Sequence, residues 1–235
     1  MPQSTILSLA GAWLQFNIWD QWNRAYYLSG YRPDVSDFPC YGNGKETLEE
    51  HVDRAIQVCQ SIEHATGKLP ILVGHSMSGL IAQIVASRLN IPRLVLVCSA
   101  APRGISNLSW PVIKRVYPYM GAIMKGQPFQ PSPEHALDLI FNNCPDQFDP
   151  DELLPVSGRA MRDLLLGTIA VPNIQCPCLV VAGSRDRITP LRIQHQLGKK
   201  YNRYCDGFIT TPYGHMPMLE DDGTLIKHII EWIQR

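Results

Sequence analysis

Leu69-Pro70-Ile71-Leu72-Val73-Gly74-His75-Ser76-Met77-Ser78-Gly79-Leu80-Ile81-Ala82 is the stretch whose reading decides the fold. A short apolar run ends in Gly-His-Ser-Met-Ser-Gly and passes without pause into a helix-forming segment. The pattern predicts a strand, a sharp turn and a helix, with Ser76 at the tip of the turn. Such a turn forces the serine into a strained backbone conformation and lifts its hydroxyl clear of the sheet. Residues two positions either side must be small, because strand and helix nearly touch there; Gly74 and Ser78 meet that demand. A glycine, a serine and a small residue at this spacing recur by chance, so the weight rests on context: the strand before, the helix after, and partners downstream.

On the N-terminal side, Thr5–Ala10 reads as a strand ended by Gly11-Ala12-Trp13. Asn17–Ser29 reads as a helix with Trp19, Trp22, Ala25 and Tyr26 on one face. Tyr31–Asp37 is a weaker strand, and Pro33 inside it assigns it to a sheet edge. Thr47-Leu48-Glu49-Glu50 is a capping box opening a second helix. Beyond the Ser76 unit, Pro92–Cys98 is another buried strand. Strands and helices in alternation, with continuous apolar strands, predict a parallel sheet covered on both faces.

That rhythm breaks from Ser106 to about Asn173, where helix-like pieces (Trp110–Lys125, Pro133–Asn143, Ser157–Gly167) replace it. So long a stretch exceeds an ordinary strand-to-helix connection and predicts an inserted helical cap over residues 106–173 of a single domain spanning 1–235. The alternation resumes with a strand at Pro177–Ala182, a loop at Gly183–Pro190, a helix, a last strand at Gly207–Thr211 and a closing helix at Thr224–Ile233. The expected fold class is α/β: about six mostly parallel strands, helices on both faces, and the cap.

Composition sets the bounds. The chain has 235 residues, 45% hydrophobic and 18% charged, with a formal net charge of zero. No Lys/Arg block stands out, so neither nucleic acid nor an anionic membrane is an expected partner. No apolar run is long enough to span a bilayer, and the N-terminus lacks a basic leader; the expected location is the cytoplasm. The seven cysteines include one close pair, Cys176-Pro177-Cys178, with no second pair or histidine cluster to complete a zinc site. They are expected to be reduced thiols used as small apolar residues.

A serine hydroxyl is a poor nucleophile at neutral pH; it needs a base, and the base needs an acid to hold its tautomer. In a parallel sheet such groups collect beyond the carboxyl ends of the strands. Ser76, Asp186 and His215 each follow a strand, so all three are placed on one edge. Their order, serine then acid then histidine, is that of the α/β-hydrolases.

The chain resembles the α/β-hydrolase fold family, especially its small capped serine esterases, over nearly its whole length. Leu9–Trp13 resembles the oxyanion loop, Asp37–Gly42 the loop after the next strand, and Gly74–Gly79 the nucleophile elbow. Val181–Pro190 resembles the acid loop and Gly214–Glu220 the histidine loop. Two positions depart: Ala10 stands where the family usually has a histidine that braces the oxyanion loop, and Ser78 where a glycine is commonest. The chain also starts at what the family counts as its third strand, which leaves the Tyr31–Asp37 strand at the edge.

The resemblance implies that Ser76 attacks an acyl carbonyl, His215 carries the proton and Asp186 orients His215. The backbone N–H groups of Met77 and Ala12 would hold the oxyanion, with Trp13 as a second choice. It implies a small-molecule ester or thioester substrate, no cofactor and no metal. Trp13, Tyr41, Met124 and Phe141 are candidate substrate contacts. The same fold also serves hydroxynitrile lyases, C–C hydrolases, cofactor-free haloperoxidases and acyltransferases, or a receptor that keeps the site for binding. A lyase would be expected to bring a cation to the pocket, for which Lys114 and Lys125 are available. The remaining histidines, His51, His64, His75, His135, His195 and His228, show no metal-ligand spacing, and His75 is expected to be structural. Asp206 is a rival acid, set aside because it precedes the last strand at the wrong sheet edge.

Overall fold

The computed structural model describes residues 3–34, 44–147 and 149–235. In chain order the elements are β1 (Thr5–Leu9), α1 (Asp20–Leu28), β2 (Arg32–Asp34), α2 (Leu48–Thr66), β3 (Ile71–His75), α3 (Ser76–Arg88) and β4 (Leu94–Val97). They continue with α4 (Trp110–Val116), α5 (Met120–Lys125), α6 (Pro133–Leu139) and α7 (Gly158–Leu165). The chain closes with β5 (Cys178–Gly183), α8 (Leu191–Lys200), β6 (Cys205–Thr211), α9 (Pro217–Glu220) and α10 (Thr224–Ile233). The six strands form one sheet in the order β2-β1-β3-β4-β5-β6, every pairing parallel.

Alternation along the strands divides the interior into two cores. Leu7, Leu9, Leu72, Leu94, Leu96, Cys178 and Val180 face one side, where α2, α3 and α8 supply Val52, Ala55, Leu80, Ile81 and Leu197. Ile6, Ile71, Val73, Val95, Val97, Leu179 and Val181 face the other, against Trp22 and Tyr26 of α1 and Ile229 and Ile230 of α10. A strand buried on both faces has no polar side to show, which is why these segments read as largely apolar runs. The capping box forms as expected, Thr47 accepting from the Glu50 N–H while Glu50 accepts from the Thr47 N–H.

Several boundaries differ from the sequence expectation. β2 is confined to Arg32–Asp34 at the sheet edge, and the rest of its expected span, with the 37–42 loop and Tyr41, lies outside the described residues. The helix expected over 17–29 begins with a 3-10 turn, Phe16–Trp19, before α1. The one expected over 110–125 is split into α4 and α5 by a 3-10 turn at Tyr117–Tyr119, where Pro118 has no N–H to continue the α ladder. β6 starts at Cys205 and therefore includes Asp206, whose carboxylate accepts from Trp232 Nε1 at 3.0 Å. The described cysteines are free, and among the described residues no helix is long and apolar enough to cross a membrane.

The chain runs from β1 outward to β2, then returns to place β3 on the other side of β1. That reversal makes the carboxyl ends of β1 and β3 the crevice where ligands collect in open parallel sheets. The turn leaving β3 depends on close approach: a Cβ at Gly74 would lie 2.7 Å from the Ser78 carbonyl oxygen and from Ala82 Cβ. Gly74→Ala therefore forces β3 and α3 apart and should cost about 1–3 kcal/mol, the usual penalty for overpacking. A lowered urea midpoint at unchanged slope checks this; an unchanged midpoint would show the contact to be soft.

Candidate active site

Three loops at the carboxyl edge meet at one point. Ser76 is the first residue of α3, held at a φ of 53°, in the left-handed region that a residue with a side chain enters only when its surroundings impose it. Gly11, two residues beyond β1, packs directly on this turn. A Cβ there would stand 2.7 Å from both Ser76 Cβ and His75 Nδ1, so only glycine lets the loop backbone come so near. The loop continues through Ala12 to Trp13, itself at a φ of 66°. Trp13 is tied to the helical segment between β4 and β5: its indole N–H donates to the Phe129 carbonyl at 3.2 Å, and its carbonyl accepts from Leu154 N–H at 2.9 Å.

Asp186 follows β5 and His215 follows β6. His215 Nδ1 lies 2.9 Å from Asp186 Oδ2, and His215 Nε2 lies 2.9 Å from Ser76 Oγ. Asp186 also accepts from the N–H groups of Ile188 (2.7 Å) and Thr189 (2.9 Å), and the Thr189 hydroxyl stands 2.7 Å from it. Burial pushes its carboxyl pKa up, but the attraction of His215 and these hydrogen bonds outweigh burial and bring it down to about 2. Asp186 is therefore ionised at neutral pH and can only accept. That assigns the Nδ1 proton to His215 and leaves Nε2 as the acceptor facing the serine hydroxyl.

The histidine loop is fixed from behind. Glu220 accepts from Gly214 N–H at 2.8 Å and from the Asn143 side-chain amide. His75, fully buried, sets its Nε2 2.8 Å from the His215 carbonyl oxygen, with the two rings 4.7 Å apart. A carbonyl can only accept, so His75 carries its proton on Nε2. Burial first, then the neighbouring His215, holds the His75 pKa down to about 3. Sequence reading placed His75 as structural. It is not in the pocket lining, and the structure adds what it supports: the loop that carries His215. A contact across 140 positions leaves no local signal.

Ser76 and His215 open onto a pocket lined by Ala12, Trp13, Met77, Val112, Met161 and Leu164, among others. Its volume is about 50 Å³. Asn107 lies in the wall, but its amide is engaged by Ala101 and the Leu164 carbonyl. Of the residues expected to contact substrate, Trp13 is in the wall. Met124 is 56% exposed on α5, and Phe141 borders a separate cavity beside Gln15 and Asn17; neither lines this pocket. Lys114 and Lys125 are exposed and absent from the lining. Met77, in the first turn of α3, has a backbone N–H without an intrahelical acceptor, and Ala12 sits in the adjoining loop.

Among the described residues, one group could hold a metal ion: Cys98, Asp186 and His215, whose ligand atoms lie within 4.8 Å of one another. Two of the three are engaged in the hydrogen-bonded relay, and burial raises the Cys98 pKa, keeping the thiol protonated and a poor ligand. Nothing in this donor set favours a metal over the relay.

The chain belongs to the alpha/beta hydrolase family, whose model matches residues 6–227. A comparison with curated protein sequences gives no match. Among solved structures it is similar to polyneuridine aldehyde esterase, with a TM-score of 0.72 at 16% identity, covering 99% of this chain and 100% of that one. A methylesterase from Arabidopsis superposes with a TM-score of 0.75 at 12% identity, covering 98% and 99%. A thermophilic esterase from Thermogutta terrifontis gives 0.73 at 21%, covering 98% and 89%. At such identities the likeness is one of fold.

The depressed His75 pKa has a consequence for stability. The unfolded chain takes up a proton at this position near the ordinary value of 6.5, whereas the folded chain resists it down to about 3. Stability contributed by neutral His75 is complete above that window and is lost as pH falls through it, at up to ~1.4 kcal/mol per pH unit. Urea midpoints measured from pH 7 to 4 should fall less steeply in His75→Phe, by about one proton. Parallel acid limbs would contradict the assignment.

Proposed function

We propose that the protein is a serine hydrolase that cleaves carboxylic esters, or thioesters, of small to medium apolar substrates through an acyl-Ser76 intermediate. The observation that carries this reading is the continuous relay from Asp186 through His215 to Ser76 Oγ at the mouth of an apolar pocket. His215 Nε2 takes the proton as Ser76 Oγ attacks the acyl carbon. The tetrahedral oxyanion is held by the Met77 and Ala12 N–H groups, donors worth about 2.7–4 kcal/mol each in such sites. His215 then protonates the departing alcohol or thiol, the acyl-serine forms, and a water activated by the same nitrogen releases the acid.

Residues 106–173 act in this reading as a cap whose inner face shapes the pocket through Val112, Val116, Met161 and Leu164. A cavity of about 50 Å³ is well below the roughly 300–1,000 Å³ of sites that take drug-sized ligands. Short acyl groups therefore suit it, and longer ones require α4 or α7 to shift. The hydroxynitrile-lyase alternative lacks support, since among the described residues the lining carries no Lys or Arg to stabilise a leaving cyanide.

Hydrolysis of p-nitrophenyl esters from acetate to decanoate tests the proposal. Turnover should be highest on the shortest acyl chains and fall toward decanoate, and Ser76→Ala or His215→Ala should reduce it to background. Met161→Ala, which enlarges the pocket, should move the optimum to longer chains. Absence of turnover by the folded protein on the whole series would refute the ester-hydrolase reading.

A further inference from the structure

One carboxylate ties three walls of the Ser76 pocket together. Asp138, on α6, pairs with Arg115 of α4 through Oδ2 at 2.6 Å and with Arg187 of the loop after β5 through Oδ1 at 2.6 Å. Arg187 also donates to the Asp138 backbone carbonyl at 3.0 Å. Each member of this trio stands beside the pocket lining in sequence. Arg115 precedes Val116, Asp138 precedes Leu139 and Ile140, and Arg187 precedes Ile188, all of which line the pocket. The three charged side chains are themselves part-exposed and absent from that lining.

The walls are not held equally. The chain just past α6 has further ties: the Asn142 amide donates to the Arg185 carbonyl at 3.3 Å, Asn143 Oδ1 accepts from Arg185 at 3.1 Å, and the Asn143 amide donates to Glu220. α4 has fewer. Among the described residues, Arg115 is the one α4 side chain with an ion pair or hydrogen bond beyond its own helix. The N-cap Ser109 adds a contact at 3.3 Å to the Arg187 carbonyl. On the outer side, Trp110 and Tyr117 are each 76% exposed, so little packing opposes an outward shift of α4. Loss of the Asp138 charge would do more than remove an attraction, because two guanidinium groups gathered by one carboxylate would be left to repel each other. An isolated surface pair does little; a carboxylate shared by two arginines is the network case in which such pairs count.

We propose that Asp138 is a specificity-determining residue. With Arg115 and Arg187 it holds α4 against α6 and the loop after β5, keeps the cavity near 50 Å³, and excludes longer apolar chains until α4 is released. Its effect on ester chain length rests on the ester-hydrolase reading; the exclusion of an apolar chain does not.

Calorimetric binding of 1-octanol, an uncharged apolar chain, tests the latch without using catalysis. Asp138→Asn and Arg115→Met should each bind octanol about tenfold more tightly than the wild type. Raised salt screens the trio, so it should bring the wild type toward the variants and leave Asp138→Asn unmoved. A merely structural role would not produce a salt response that vanishes with this carboxylate. The ratio of kcat/KM for p-nitrophenyl octanoate to that for the acetate should rise about tenfold in both variants, with kcat on acetate held within about twofold. The double variant should do no more than Asp138→Asn alone. Should Asp138→Asn fail to fold, Arg115→Met carries the same expectation. Unchanged octanol affinity or an unchanged ester ratio in variants with wild-type circular dichroism overturns the proposal, and so does a salt response that persists in Asp138→Asn. Octanol binding that responds as expected in a protein that turns over no ester would uphold the latch and refute the hydrolase reading alone.

Discussion

The left-handed backbone of Ser76 is the constraint on which the rest depends. One residue at a φ of 53° turns β3 into α3 with no intervening loop. It aims the Oγ outward and presents the first N–H groups of α3 to the same space. Such a conformation persists only if the surroundings over-determine it. Here they do: α3 is buried almost along its length, Gly74 lets it lie against β3, and Gly11 lets the loop after β1 press on the turn from the other side. Sheet topology supplies the remainder. Because the strand order reverses between β1 and β3, the crevice opens at this turn.

Two more loops bring in the relay, and each is held by its own set of hydrogen bonds. Three donors besides His215 surround the Asp186 carboxylate, which makes a fully buried charge tolerable. His215 is steadied from behind by His75 through its carbonyl, and the neighbouring Gly214 N–H is held by Glu220. His75 can serve because it stays neutral: a proton on both nitrogens would leave a charge in the apolar space between Trp19 and His215. The departure at Ala10, where the family commonly has a bracing histidine, thus coincides with a histidine that touches both Gly11 and the His215 loop.

Much of this was legible in the sequence because parallel strands announce themselves. Apolar runs gave β3, β4 and β5, and a run interrupted by Ser8 gave β1; the chemistry of a parallel sheet lies just past such runs, so Ser76, Asp186 and His215 could be placed together before any distance was known. Pro33 placed β2 at the edge, where it is found. The helical segment after β4 was less readable. Periodicity gives a helix two faces but does not say which one turns inward once it crosses other helices. Met124 and Phe141 were therefore expected at the pocket and lie elsewhere, while Val112 and Met161 line it. The break at Pro118 was a local signal that a continuous apolar pattern masked. His75 had no local signal, its role being set by a partner on the far side of the chain.

Reaction with a fluorophosphonate, followed by intact mass and peptide mapping, tests the central claim most directly, because it reports an activated serine whatever the natural substrate. The account predicts a single covalent adduct on Ser76, absent in Ser76→Ala and formed far more slowly in His215→Ala. A folded protein that forms no adduct, or forms one on another residue, would contradict it.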